Sequence, residues 1–284
     1  MPINNYTLHR ARVVKNDEFY TQYDDVKKEC DNYMPHFFNK IIYCNCDTDD
    51  SAFVKYFLDL KARGKIRDVI WSGGLGGLDF RSDAAVALLK RADIIVTNPP
   101  FSLFREFIDL LMENDKKFLA IGNHNAVKYK NIFTHIRNNR LWIGTRNFGA
   151  MFFDVLNPDN LIAAGKLGSG YKIIDNIPKA IVPATWFTNL KQSHREFLKL
   201  TKRYYGNESA YPRYDNFDAI NVNDKRNIPY DYRGIIGVPI TFLDRYNPNQ
   251  FMILGLDREV IGDNRGAMVH GRRIYTRIFI KIKN

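Results

Sequence analysis

The first half of the chain alternates short apolar runs with longer stretches whose apolar residues recur every three or four positions. KIIYCNCD (40–47) is an apolar run ending in a polar turn, which predicts a strand with a loop at its C-terminal end. In DDSAFVKYFLDLKARG (49–64), Phe53, Tyr56, Phe57 and Leu60 fall at helical spacing, with Asp50 or Ser51 suited to the N-cap and Gly64 to the stop. IRDVIW (66–71) predicts a second strand and SDAAVALLKRA (82–92) a helix capped by Ser82 or Asp83. DIIVTN (93–98), a buried strand, runs into the amphipathic helix SLFREFIDLLMEND (102–115). KFLAIGN (117–123), AVKYKNIFTHIRNN (126–139) and LWIG (141–144) continue as strand, helix and strand. Continuously apolar strands alternating with helices imply a parallel sheet covered on both faces, with ligands bound beyond the C-terminal ends of the strands. Asp47 and Asn98 both sit at such ends.

From about residue 147 the rhythm changes. Asn, Asp, Tyr, Pro and Gly become frequent, and SHREFLKLTKRYYG (193–206) is the main helical candidate. AIVPATWFTN and RRIYTRIFIKIK predict short strands. The last reads either as a basic strand or as an edge strand blunted by charge. The expected organisation is an α/β core over 1–146 and a less regular C-terminal region, 147–284, that completes the sheet and carries loops.

Charge sharpens the picture. A net charge of +11 fits a polyanionic partner, because Lys and Arg gain affinity by releasing phosphate counterions. The apolar runs are strand-sized, so no membrane span is expected, and MPINNYTLHR is too polar to open as a signal peptide. Three cysteines, Cys30, Cys44 and Cys46, argue against a disulfide framework and for a reducing compartment. Cys44-Asn45-Cys46 is too tightly spaced for a zinc half-site, and no metal is expected.

The chemistry concentrates in Asn98-Pro99-Pro100-Phe101. Two prolines fix φ twice and remove two N–H donors, giving a stiff extended exit from the strand. Asn98 adds a side-chain carbonyl and Phe101 a flat apolar face. Two acceptors and a stacking ring suit a planar ligand carrying an amino group, such as adenine. If both N–H bonds of that amine donate to fixed carbonyls, its lone pair is drawn out of the ring and can attack a methyl sulfonium. Catalysis then works by orientation and fixed dipoles and needs no His or Glu within the motif. The plain alternative is a proline-rich turn between a strand and a helix.

TNPPF resembles the catalytic motif of S-adenosylmethionine-dependent amino-methyltransferases. More narrowly, the chain resembles the EcoRI-type adenine-specific DNA methyltransferases. The likeness runs in order through NDEFYTQYDDV (16–26), IIYCNCD (41–47), DFRSD (79–83), ADIIVTNPPFSLFREF (92–107), KKFLAIGNHNAV (116–127), WFTNL (186–190), LTKRYYGNESAYPRYDNFDAI (200–220) and GIIGVPITFLDRYNPNQFMILG (234–255). It implies a Rossmann-like methyltransferase fold acting on a flipped adenine of duplex DNA within a restriction–modification system. Asn98, Pro99, Pro100 and Phe101 become the catalytic motif, with Asn98 and the Pro99 carbonyl on the amine and Phe101 against the ring. Phe19, Tyr20 and Thr21 resemble the motif beside the methionine end of the cofactor. Cys44, Asn45 and Asp47 line the cofactor cleft, and Asp79 and Phe80 resemble the pair that meets the cofactor's adenine. Each has an ordinary alternative: core aromatics for Phe19 and Tyr20, a helix cap for Asp47, a turn for Asp79, small buried fillers for the cysteines.

The chain departs from the family at WSGGLGGLDF (71–80), where members have a longer segment. The glycines do not have dinucleotide-fingerprint spacing and read as a flexible, trimmed or engineered loop, and VIWS supplies no ribose-binding carboxylate. Lys128, Lys130, Arg272, Arg273 and Arg277 are the candidate DNA contacts, set against simple solvated charges. The resemblance further implies a cytoplasmic monomer, bacterial or phage-encoded, with a cognate endonuclease that forms no stable contact. RNA adenine or protein glutamine as substrate, and a non-catalytic DNA-binding module, are the competing readings.

Overall fold

The computed structural model describes residues 20–73, 78–146, 148–154, 170–191 and 195–283. In chain order its elements are β1 (Tyr20–Thr21), α1 (Tyr23–Cys30), α2 (Met34–Phe37), β2 (Ile41–Cys44), α3 (Ala52–Ala62), β3 (Asp68–Trp71), α4 (Asp83–Arg91), β4 (Ile94–Thr97), α5 (Phe104–Glu113), β5 (Lys117–Asn123), α6 (Lys130–Arg137) and β6 (Trp142–Ile143). There follow β7 (Gly149–Asp154), β8 (Tyr171–Ile174), β9 (Ile177–Thr188), β10 (Ala219–Asn221), β11 (Ile235–Pro239), β12 (Phe251–Leu256), α7 (Asp257–Ile261), β13 (Met268–Val269), β14 (Arg272–Arg273) and β15 (Arg277–Ile282).

Two compact units result, one from residues 1–126 and 144–190, the other from 127–143 and 191–284. The division expected at 146/147 is therefore displaced. Strands β7 to β9 belong to the first sheet, and α6 and β6 belong to the second unit.

The first unit is built on a sheet ordered β1-β7-β9-β5-β4-β2-β3, with β8 added to β9. Strands β3, β2, β4 and β5 run parallel; β9 is antiparallel to β5 and β7 to β9. The sheet alternation divides the apolar residues. Ile42, Cys44, Ile94, Val96, Leu119 and Ile121 join one core cluster with Phe53, Phe57 and Trp186, while the intervening Tyr43, Ile95, Phe118 and Ala120 are buried as well. Burial on both faces explains the unbroken apolar runs of these strands. Ser51 and Ser82 cap α3 and α4 by accepting from Val54 and Ala85 N–H, and Gly64, at φ 66°, follows the end of α3.

Glu29, fully buried on α1, ties that helix to the loop before β7. Its Oε1 accepts from Tyr33 O–H (3.1 Å) and Thr145 N–H (2.6 Å), and its Oε2 from Thr145 O–H (2.8 Å) and Arg146 N–H (3.1 Å). Burial pushes the carboxyl up from its ordinary range, and these four donors oppose the shift.

The second unit holds a four-stranded sheet ordered β10-β11-β15-β12. β15 lies inside it, paired antiparallel to β11 and to β12, so of the two readings of this segment the edge strand is ruled out. Phe279 on β15 stacks on Phe217 (ring centroids 5.0 Å) and packs with Tyr214, Ala267 and Val269. The helix expected over 193–206 is absent over residues 195–200. Side-chain amides hold that segment instead. Leu198 N–H donates to Gln250 Oε1 (2.7 Å), Gln250 Nε2 donates to Leu198 C=O (2.7 Å), and Asn247 Nδ2 donates to Arg195 C=O (2.5 Å). Backbone groups engaged this way are withdrawn from a helical ladder.

Among the described residues no helix is long and apolar enough to cross a membrane, and no cluster of His, Cys, Asp or Glu has the arrangement of a metal site.

Glu29→Ala leaves four donors, from Tyr33, Thr145 and Arg146, without their acceptor and should lower unfolding stability by about 3 to 5 kcal/mol in urea titrations. Glu29→Gln, which keeps one carbonyl oxygen, should lose clearly less.

Candidate active site

Strands β2 and β4 are neighbours whose helices continue in opposite directions along the sheet, toward β3 and toward β5. This is the topological switch point, beyond whose C-terminal strand ends ligands bind in sheets of this kind. Asp47 lies just past β2 and Asn98 immediately follows β4.

Thr97, the last residue of β4 and fully buried, joins the two ends. Its hydroxyl lies 2.6 Å from Asp47 Oδ2 and also donates to the Asn45 carbonyl. Asp47 is only 8% exposed, and burial pushes its carboxyl up to about 7, against the opposing pull of hydrogen bonds from Thr97 and Ser51. Gly73, beyond β3, donates its N–H to the Asp47 carbonyl (2.8 Å); a Cβ there would lie 2.3 Å from that oxygen, so the close approach of the two loops requires glycine. Asn45 is fully buried, and its Nδ2 has no hydrogen-bond partner among the described residues. A buried donor left unmatched costs about 1–3 kcal/mol, which makes Asn45 a candidate to donate to an acceptor of a ligand. A buried carboxyl near neutrality and a spare amide donor fit the amino-acid end of a small zwitterionic cofactor.

The Asn98 amide donates from Nδ2 to Thr21 Oγ1 on β1 (3.3 Å), while its Oδ1 is enclosed by protein. Thr21 is held in register by β1–β7 pairing opposite Phe153, and the Phe101 ring meets Phe153 edge to face at 6.5 Å. Pro99 is buried and Pro100 half-buried; the Pro100 carbonyl accepts from Leu103 N–H (3.0 Å), closing a single tight turn before α5. Helix α5 accordingly starts at Phe104, two residues later than the periodicity predicts.

The structure thus gathers Thr21, Asn45, Asp47 and Asn98 about one crevice through Thr97, a residue not singled out from sequence. The available signal was a hydroxyl ending the otherwise apolar run IIVT. Cys44 is fully buried at the end of β2, where burial pushes its thiol well up, which is the filler role. Phe19 lies outside the described residues, and Tyr20 enters only as the first residue of β1. Residues 74–77 of the glycine-dense loop also lie outside them.

Asp79 and Phe80 have partners of their own. Both Asp79 oxygens accept from the Arg81 guanidinium (2.9 and 2.7 Å), which also pairs with Glu106 (2.9 Å). The Phe80 ring, 2% exposed, packs edge to face on Phe107 (5.2 Å) beneath Arg81 (5.4 Å). Of the candidate DNA contacts, Lys128, Lys130, Arg272 and Arg273 are exposed. Arg277 is not available to a phosphate: it is 6% exposed, and its guanidinium donates to Asn221 Oδ1 (3.0 Å), Asn223 Oδ1 (2.7 Å) and the Tyr275 carbonyl (3.2 Å). It serves the interior of the second unit, because β15 is an inner strand.

The adenine-specific methyltransferase EcoRI family model matches residues 7–71 and 58–283. The chain is 40% identical to the Type II methyltransferase M.EcoRI of Escherichia coli, over 98% of this chain and 97% of that protein. It is 37% identical to the Type II methyltransferase M.MgeORF184P of Mycoplasma genitalium, over 96% and 98%. It is 36% identical to the Type II methyltransferase M.MpnI of Mycoplasma pneumoniae, over 96% and 97%. With nearly full-length identity on both sides and an α/β sheet whose switch point holds Asn98-Pro99-Pro100-Phe101, this chain is a methyltransferase and belongs to the EcoRI adenine-specific methyltransferase family.

Proposed function

We propose that the chain methylates N6 of an adenine at a specific site in duplex DNA, using S-adenosylmethionine, as the modifying member of a restriction–modification pair. The observation that carries this reading is the placement of the Asn98 amide at the end of β4, joined through Thr97 to a buried carboxyl at the end of β2. Family membership and the +11 net charge support the DNA substrate.

S-adenosylmethionine supplies, when bound, an electrophilic methyl on a sulfonium. Asp47 as carboxylate faces the cofactor's ammonium, and the spare Nδ2 of Asn45 donates to its carboxylate. The Thr21 hydroxyl takes one hydrogen of the Asn98 amide, which turns Oδ1 toward the substrate amine. Asn98 Oδ1 and the Pro99 carbonyl accept the two N–H bonds of that amine and draw its lone pair out of conjugation. Pro99 and Pro100 fix these dipoles before the substrate arrives, so little reorganisation is left for the reaction. The adenine is extruded from the duplex and rests on Phe101, whose ring is braced by Phe153. Because Oδ1 is enclosed, the entering base displaces the cover over it. We assign no contact with the cofactor's adenine to Phe80, whose surroundings are Phe107 and Arg81. One methyl placed on one strand imposes no symmetry, which suits a monomer.

Purified protein with tritiated S-adenosylmethionine and unmethylated bacterial DNA should yield labelled N6-methyladenine; label entering RNA or protein alone refutes the substrate assignment. Asn98→Ala should reduce transfer by about a hundredfold or more while leaving cofactor affinity within about threefold, the loss typical of one preorganised dipole. A wild-type rate in that variant removes the role given to Asn98.

Asp47 sets a pH dependence. Its folded pKa of about 7 lies above the ordinary value of 3.8. Its contribution to the stability of the ligand-free protein is therefore fully present below the ordinary value and lost as pH rises through about 7. Binding a cation requires the anion, so cofactor affinity should rise by up to about tenfold per pH unit from about pH 5.5 toward 7, then flatten. Calorimetry should show that slope in wild type and a weak, flat profile in Asp47→Asn.

A further inference from the structure

Strands β13 and β14 form a hairpin in the second unit, pairing Met268 with Arg273 and Val269 with Arg272. The two connecting residues both have positive φ, His270 at 51° and Gly271 at 71°, as the tightest right-twisting hairpin turn requires. The turn is clamped from beneath. Asp215 accepts from His270 N–H (3.1 Å) through Oδ1 and from Gly271 N–H (2.7 Å) through Oδ2, and its own N–H donates to the Met268 carbonyl (2.8 Å). Asn216 adds bonds to Met268 N–H (3.2 Å) and the Gly266 carbonyl (2.9 Å). Ala267 and Val269 are buried with Tyr214 and Phe279, which seats the hairpin on the core.

Several surface arginines of the unit are neutralised by a nearby carboxylate. Arg203, Arg213, Arg226 and Arg265 are ion-paired with Asp231, Asp218, Asp224 and Asp263. Arg272 and Arg273 are exposed and have no acidic partner among the described residues. Two residues on, Tyr275 is 89% exposed, the most exposed large ring described. The hairpin thus presents two guanidinium groups without an acidic partner among the described residues, and an exposed aromatic ring lies just beyond it. They have the charge and shape to meet a polyanion, and a two-stranded ribbon fits a major groove about 12 Å wide.

We propose that the β13–β14 hairpin, through Arg272, Arg273 and Tyr275, is a duplex-DNA-contacting ribbon that sets affinity for the substrate and leaves cofactor binding and methyl transfer untouched. The proposal rests on DNA being the substrate. The clamp from Asp215 and Asn216 holds the ribbon in place before DNA arrives, so no ordering entropy is lost on binding.

The test uses the full-length protein and a linear, unmethylated plasmid fragment. For R272A/R273A, filter binding across a salt series should show DNA affinity reduced about tenfold or more and the slope of log Kd on log salt reduced by about 2, one for each lost phosphate contact. KM for DNA should rise with Kd, while kcat and the calorimetric Kd for S-adenosylmethionine stay within about twofold. R272K/R273K should keep the salt slope. DNA affinity and slope equal to wild type in R272A/R273A overturn the proposal. Loss of cofactor binding in that variant would mark a folding defect, and Arg273→Glu with Tyr275→Ala then decide, unchanged DNA affinity in both refuting the hairpin. DNA binding is read separately from transfer: a wild-type protein that transfers no methyl to DNA refutes the substrate, whereas active wild type with an equally tight variant refutes only the hairpin.

Discussion

One hydroxyl holds the active crevice in register. Thr97 sits where β4 ends, and its oxygen reaches both the Asp47 carboxyl and the backbone carbonyl of Asn45 at the end of β2. Parallel strands leave their C-terminal ends as separate loops, and nothing in the ladder itself fixes one loop against the next. Here the bond spans 50 residues of sequence and is made in a fully buried setting, where a hydrogen bond is strong and a missing partner is costly. The next residue along is Asn98. The backbone that places the amide is therefore the same backbone that anchors the carboxyl, and an error in one is shared by the other.

The site also shows how a buried acid can be kept without a fixed counter-ion. The neighbours of the Asp47 side chain are hydroxyl groups, and its main chain is approached by the N–H of Gly73. In such surroundings burial raises the carboxyl to about 7, because no fixed cation among the described residues offsets the loss of water. Glu29 is its counterpart: equally buried, but given four donors and bound to structure alone. The two carboxyls differ in what is left unmatched nearby. Beside Asp47 that is the amide nitrogen of Asn45.

Much of the first unit was legible because burial on both faces leaves a strong imprint. The strands KIIYC, DVIW, DIIVT and KFLAIGN and the caps Ser51 and Ser82 sit where periodicity predicts them, within one or two residues. The ends of β2 and β4 followed from the same pattern. Failures arose where side chains override local preference. The amphipathic stretch SHREFLKL was read as helix, yet the amides of Gln250 and Asn247, distant in sequence, claim the backbone of 195–198. The alternation of Arg with Ile suggests a surface cation at Arg277, but alternation cannot distinguish an outer strand from an inner one whose polar face is matched by Asn221 and Asn223. Phe80, which the resemblance sets beside a ligand, also packs on Phe107, one turn into α5, a contact that local sequence does not announce. Thr97 escaped notice because its two partners are a carbonyl and a carboxyl fifty residues away.

The amide strap over 195–198 has a kinetic meaning. Its bonds join residues 52 positions apart and replace neither a helix nor a strand ladder, so the segment has no local structure to nucleate. Closing so long a loop must wait until β12 and the turn before it have been laid down to present Asn247 and Gln250. The strap over 195–198 is accordingly expected to form after β12, by capture onto a surface already laid down and not by growth from within.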